Sequence, residues 1–214
     1  ISVVGYLIGI FLRKKISVLN PLLVSIIFVI AVIKIFHIDY ETYNSGAKYI
    51  SYLLTPATVC LAIPLYRQIS VLKEHAKEVF IGILAGVLAS MGSILLMSYL
   101  FGLTHEQYVT LLPKSITTAI GMGVSEELGG IQTITVAVII ITGVLGNIIA
   151  EAVLKIFRIK EPVAKGLAIG TASHAIGTTK ALEIGEIEGA MSSLSVAVAG
   201  LMTVISASIF ANMM

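Results

Sequence analysis

Residues 166–183 read GLAIGTASHAIGTTKALE, a stretch that is apolar enough to enter a membrane and too broken to cross one as a plain helix. Three glycines fall inside it, and each costs a helix interior about 1 kcal/mol relative to Ala. Thr171, Ser173, Thr178 and Thr179 add hydroxyls, and His174 and Lys180 add titratable groups. On either side lie long windows without any charge, 128–150 and 189–214. A second stretch of the same character is 113–130, PKSITTAIGMGVSEELGG. A third and weaker one is 55–66, TPATVCLAIPLY, with Pro56 and Pro64. Unwound backbone survives at membrane depth only where protein buries it or where it lines a watery cavity. These stretches are therefore where chemistry is expected.

The rest of the chain makes the membrane reading hard to avoid. Of 214 residues 57% are hydrophobic and 12% are charged, about half the charge of a soluble domain. Mean hydropathy is +1.01. Five uncharged windows reach the length of about 18–20 residues that a bilayer crossing requires: 16–33, 49–66, 79–104, 128–150 and 189–214. Three more, 1–12, 115–125 and 166–179, are apolar but too short. The expected fold is an all-α polytopic membrane protein with six to eight passages, interrupted or re-entrant helices and a possible inverted repeat. A net charge of +2 gives no reason to propose nucleic-acid binding. The lone Cys60 excludes a disulfide framework, and no Cys/His spacing suggests a metal site. The window 1–12 begins at Ile1 and has neither the basic start nor the cleavage site of a signal peptide, so it reads as a helix whose beginning lies outside the sequence.

Basic clusters orient the chain. Arg13-Lys14-Lys15 follows the first window, and Lys155, Arg158, Lys160 and Lys165 follow the window at 128–150; both are expected in the cytoplasm. The acidic, Tyr-rich loop at 39–44 (DYETYN) fits the opposite side, with Tyr40, Tyr43, Tyr49 and Tyr52 as interface anchors. Ile33-Lys34-Ile35-Phe36-His37-Ile38 and Leu154-Lys155-Ile156-Phe157-Arg158-Ile159 form a weak repeat. It suggests one transmembrane domain over 1–214 built of pseudo-repeats 1–104 and 105–214, packed around a midplane site as in many secondary transporters.

The broken stretches expose helix N-termini, whose free N–H groups and partial positive charge suit an anion. Lys114, Ser115, Thr117 and Thr118 in one, and Thr171, Ser173, His174, Thr178, Thr179 and Lys180 in the other, form the expected binding set for a small carboxylate. Glu126, His174 and Glu183 are the proton-coupling candidates. Blander roles stand beside these. Lys114 snorkels to an interface, Lys180 and Glu183 form an i,i+3 surface pair, and Glu126 with Glu127 is solvated. Glu186 and Glu188 read as loop charges. Gly82 and Gly86 have the GxxxG spacing of helix packing, and Asn147 reads as an interhelical hydrogen-bonding residue. No HExxH, GxSxG, Walker or GxGxxG pattern is present, and Ser173-His174 is no triad. No catalytic residue, cofactor or metal is expected.

Residues 113–130, together with GTASHAIGTTKALEIGEIEGAMSSLSVAVAG at 170–200 and TPATVCLAIPLYRQ at 55–68, resemble the CidB/LrgB antiholin-like membrane family. The resemblance covers essentially the whole chain and is most specific at 170–180 with Gly189-Ala190. It implies a multi-pass protein of the bacterial inner membrane, often paired with a small holin-like partner of the CidA/LrgA type. Members are read either as modulators of murein hydrolase activity and lysis, or as carriers of small carboxylates such as glycolate, glycerate, pyruvate or lactate. By this resemblance Ala119 stands where many relatives carry Pro, and Glu151 where they carry Pro or His. The expected function is a carrier or facilitator of small monocarboxylates. The alternative is a lysis regulator working with a holin-like partner, and a channel is a third reading. The lipid bilayer, a small organic anion and, by default, a second copy of the chain are the expected partners.

Overall fold

The structure, a computed structural model, describes residues 1–16, 19–53, 56, 59, 60 and 62–214. The window at 49–66 and the start of the third broken stretch, at Thr55, fall in part outside the described residues. All the described elements are helices, and the chain divides into two compact units, Ile1–Cys60 and Leu61–Met214.

The first unit contains α1 (Ser2–Lys15), α2 (Pro21–Ile35) and α3 (Tyr40–Ser51). The apolar window at 16–33 predicts a full crossing, but α2 has only 15 residues. Asn20 sets its start by accepting hydrogen bonds from the Leu22 and Leu23 amides, and Pro21 occupies the first turn, where its missing N–H costs nothing. Helices α1 and α2 approach closely because Gly5 faces Ser25 and Phe28 and Gly9 faces the Pro21 backbone. Ser2 Oγ and Tyr43 Oη are 2.8 Å apart and tie α3 to α1.

In the second unit two short helices, α4 (Ala62–Arg67) and α5 (Ile69–Glu74), lead into α6 (Ala76–Phe101). Then come α7 (His105–Leu111), α8 (Thr118–Glu127), α9 (Gln132–Ile156), α10 (Pro162–Ile184) and α11 (Glu186–Ala211). Helices α6, α9 and α11 are long and apolar enough to cross a membrane. The two broken stretches do something else.

Helices α7 and α8 form a hairpin. Thr110 on α7 lies beside the end of α8 and the start of α9: its Oγ1 accepts from the Ile131 amide at 2.8 Å and its carbonyl accepts from Thr135 Oγ1 at 2.9 Å. Ser125 Oγ meets the same Thr135 hydroxyl at 2.7 Å. The chain therefore enters at Thr104, turns at 112–117 and returns to its own level. Thr104 and Gln107 close a capping box at the entrance.

Helix α10 is a second hairpin, folded at His174. A straight helix would separate Lys165 from Gly185 by about 30 Å, yet Lys165 pairs with Glu188, in the first turn of α11, at 3.6 Å. A Cβ on Gly177 would stand 3.2 Å from the Ile169 carbonyl oxygen, which also requires the two arms to lie against each other. Gly82 faces Leu167 and Gly86 faces Thr171, so the first arm, 162–173, runs alongside α6 in the same direction. Along α9, Gly146 meets Ser173, Asn147 meets Ile176 and Thr179, and Glu151 meets Lys180. The second arm, 175–184, therefore returns toward the end of α9.

A crossing followed by a hairpin thus occurs twice, in opposite senses. Lys73, Lys77, Lys155, Arg158, Lys160 and Lys165 gather at the end where α6 begins and α9 finishes. The other end, at 102–106, 128–131 and 212–214, carries no Lys or Arg. The basic end belongs in the cytoplasm by the positive-inside tendency. The α10 hairpin enters from the basic end and the α7–α8 hairpin from the opposite one.

Lipid tails are as apolar as Leu, so hydrophobicity alone does not bring these helices together; close packing of small residues does. Helix α10 meets three neighbours through glycine: α6 by Gly82 and Gly86, α9 by Gly143 and Gly146, and α11 by its own Gly166 and Gly170. One stripe of α6 (Val79, Ile83, Val87 and Met91) is buried with Tyr108 and Leu112 of the first hairpin region. Leu88, Leu96 and Leu100 of α6 face outward, where lipid would cover them.

The six-residue repeat is a repeated helix stop. The Ile38 amide bonds to the Ile33 carbonyl at 3.0 Å, and the Ile159 amide to the Leu154 carbonyl at 2.9 Å. His37 (φ 49°) and Arg158 (φ 55°) take the left-handed position that usually belongs to glycine in such a cap.

Candidate functional site

Lys114 occupies the turn of the first hairpin. Its ammonium donates to Ser115 Oγ at 2.9 Å and to Ser90 Oγ at 3.4 Å, and Ser90 Oγ donates to Ser115 Oγ at 3.0 Å. Ser90 lies about 21 Å of helix from the start of α6 and about 17 Å from its end, so this cluster sits near mid-depth. A lysine charge there costs about 2.5–3.5 kcal/mol on insertion scales. Among the described residues no carboxylate lies within ion-pair distance of Lys114.

Ser90 and Ser115 border a small cavity of about 10 Å³, which Thr171 of α10 and Thr203 of α11 also line. The space suffices for one water at most. The two broken stretches meet here, through Ser115 and Thr171. Thr117 and Thr118 are half-buried at the start of α8, so the positive end of that helix adjoins the turn carrying Lys114. Thr171 returns its own hydroxyl proton to the Leu167 carbonyl at 2.7 Å.

The remaining residues of the second stretch lie apart from that cavity, with Ser173, His174 and Thr178 buried and Thr179 exposed. His174 is 3% exposed, with φ 42° and ψ −144°. That conformation costs a non-glycine residue about 1–3 kcal/mol and persists only when its surroundings enforce it. The enforcement comes from α9. Imidazole Nε2 lies 3.0 Å from the Ile139 carbonyl oxygen, and because a carbonyl only accepts, this nitrogen carries the proton. A Cβ on Gly143 would stand 2.8 Å from the His174 ring, and one on Gly146 would overlap the Ser173 side chain. Thr178 Oγ1 donates to the His174 carbonyl at 3.1 Å and meets Ser192 Oγ at 2.9 Å. Thr179 donates to the Ile176 carbonyl at 2.8 Å and accepts from Asn147 at 3.0 Å. Asn147 is thus an interhelical residue, and Gly82 and Gly86 serve packing, as their patterns suggest. Ile139 connects the two groups, with its side chain against Gly121 of α8 and its carbonyl on His174.

Lys180 is paired with Glu151 of α9 at 2.5 Å and with Glu183 at 3.2 Å. Glu151 therefore has a partner across the α9–α10 contact. Neither Lys180 nor Glu183 borders the cavity shared by Ser115 and Thr171. Glu126 is exposed near the outer end of α8. Among the described residues, no three His, Cys, Asp or Glu side chains gather as a metal would require.

Sequence reasoning missed Ser90, Thr203 and Glu188. The first two are hydroxyls inside uncharged windows that hold several others, such as Ser93, Ser98, Ser206 and Ser208, so only packing distinguishes them. Glu188 is no loop charge: it is buried in the first turn of α11 and paired with Lys165. Its place just after Gly185, where a helix start favours acid, was the available signal.

Residues 2–213 match the profile of the LrgB-like family. The chain belongs to that family. Proteins named "Antiholin-like protein LrgB" from Bacillus mycoides (strain KBAB4), Bacillus cereus (strain B4264) and Bacillus anthracis (strain CDC 684 / NRRL 3495) are each 38% identical over 208 residues. Each alignment covers 96% of this chain and 90% of the relative. No solved structure matches the chain. Apolar spanning helices and LrgB-like membership together make this a multi-pass bacterial membrane protein.

Proposed function

We propose that the protein carries small monocarboxylates of the glycolate, glycerate, pyruvate or lactate class across the bacterial membrane. The observation behind this reading is a mid-depth lysine without an acid partner among the described residues, set beside a cavity that hairpins from opposite faces share. Lys114 balances the carboxylate charge. Ser90, Ser115 and the first amides of α8 near Thr117 and Thr118 bind its oxygens, and Thr171 walls the space beside them. Lys180, already held by two carboxylates, fastens the second arm of α10 to α9. Ser173, Thr178 and Thr179 shape the α10 tip. His174 and Glu126 remain the proton candidates, and Glu183 acts through Lys180.

A cavity that admits one water is smaller than any of these anions. Loading therefore requires a hairpin to withdraw, as a carrier demands and an open channel does not. The test is uptake of labelled glycolate, glycerate, pyruvate and lactate into proteoliposomes. At least one should accumulate saturably, and Lys114→Gln should lower its uptake at least tenfold while Lys180→Gln lowers it less. Failure of all four with folded protein, or full activity in Lys114→Gln, overturns the reading.

The printed name of the relatives favours a second reading, an antiholin-like regulator of murein hydrolase activity and lysis that assembles with a small holin-like membrane partner. It predicts partner-dependent pores and lysis timing indifferent to Lys114→Gln. A homodimer is the assembly expected under the first reading.

A further inference from the structure

A groove of about 560 Å³ opens at the basic end of the second unit, where α9 stops and α10 begins. Leu154, Ile159 and Ile184 give it an apolar floor; Lys155, Arg158, Lys160 and Lys165 supply positive charge around it, against the single carboxylate of Glu151. Part of that charge is already used. Lys155 lies 3.9 Å from Glu151, and Lys165 lies 3.6 Å from Glu188. Arg158 and Lys160 are exposed and have no carboxylate within ion-pair distance among the described residues. The cap at the end of α9 fixes Arg158 in its left-handed conformation and folds Ile159 back onto Leu154.

We propose that this groove binds one anionic phospholipid of the cytoplasmic leaflet, its phosphate on Arg158 and Lys160 and its upper acyl chain on the apolar floor. Three features select a lipid over a water-soluble phosphate. The floor is apolar, and a small hydrophilic anion gains nothing from it. Ile156 and Phe157, 73% and 72% exposed, continue that apolar surface at the end of a membrane-spanning helix. The two uncompensated bases lie just beyond the spanning segment, where basic residues meet lipid headgroups. The groove is separate from the mid-depth cavity and shares no lining residue with it. A bound lipid would hold together the end of α9 and both arms of the α10 hairpin, through Leu154, Lys165 and Ile184.

Native mass spectrometry of the full chain in detergent tests this, with added phosphatidylglycerol, phosphatidylcholine or water-soluble glycerol phosphate. The expected result is one tightly retained phosphatidylglycerol, with neither of the others retained. The double variant Arg158→Gln/Lys160→Gln should bind phosphatidylglycerol about thirty-fold more weakly. Lys14→Gln/Lys15→Gln, altered in the first unit, should bind as the parent does. Equal retention of phosphatidylcholine, or glycerol phosphate binding as well as the lipid, overturns the proposal. So does unchanged phosphatidylglycerol affinity in the Arg158/Lys160 variant. The lipid-class comparison on the unaltered protein decides the matter even if a variant folds poorly. Transport assays play no part, so the site stands or falls apart from the carrier reading.

Discussion

His174 combines a backbone that suits glycine with a ring that only histidine supplies. Its positive φ and its hydrogen bond to the Ile139 carbonyl oppose each other energetically, and two substitutions separate them. His174→Ala loses the bond and keeps the strained conformation, whereas His174→Gly loses the bond and relieves the strain. Unfolding in detergent should find the glycine variant more stable than the alanine variant by about 1 kcal/mol. The reverse order would mean that the tip relaxes into an ordinary helix once the ring is gone. The sequence shows that this residue is unusual, because a histidine amid Gly, Ser and Thr at membrane depth is rare. It does not show that the ring faces a backbone carbonyl on a helix some 35 residues earlier, because nothing local encodes that partner. Lys114 and Lys180 illustrate the same division. Both are legible as charges inside apolar stretches, yet only packing makes Glu151 the partner of one and hydroxyls the partners of the other.

At the scale of elements, two hairpins were half visible. Stretches too polar for lipid and too short to cross as helices are recognisable from glycine, proline and hydroxyl content. The fold-back at His174 is less so, because the residues on both sides of it are acceptable helix formers. Contacts with neighbouring helices make the turn, and glycine makes those contacts possible. Two substitutions on different helices measure this. Gly146→Val on α9 would drive its side chain into Ser173 and should destabilise the protein by about 1–3 kcal/mol or prevent folding. Gly92→Ala on α6 meets nothing within 4 Å and should be neutral, or stabilising by up to about 1 kcal/mol from helix propensity. Thermal unfolding of the two purified variants in detergent checks the contrast; equal stability would remove packing as the role of Gly146. At α2 the sequence misled, because an uncharged window says nothing of the Asn20-Pro21 start inside it.

For the second unit as a whole, the distribution of charge orients three crossings and two hairpins at once. Thiol labelling of a Cys60→Ser background reads that orientation. Lys160→Cys should react with an impermeant maleimide only after the cells are permeabilised, and Glu106→Cys should react in intact cells. The opposite pattern would invert the topology, and labelling of both from one side would show that the hairpin and crossing assignments are wrong. The glycine faces around α10 carry a mechanical consequence. Interlocked bulky side chains act as teeth, and an element held by them must lever its neighbours apart before it shifts. At the inner hairpin the teeth are α10 side chains seated in glycine notches, Ser173 at Gly146, His174 at Gly143 and Thr171 at Gly86, so a shift along its axis must first lift them out. Polar ties add to that hold: the Lys180–Glu151 and Lys165–Glu188 pairs, the His174 bond to Ile139, the Asn147 bonds to Ile176 and Thr179, and the Thr178–Ser192 contact.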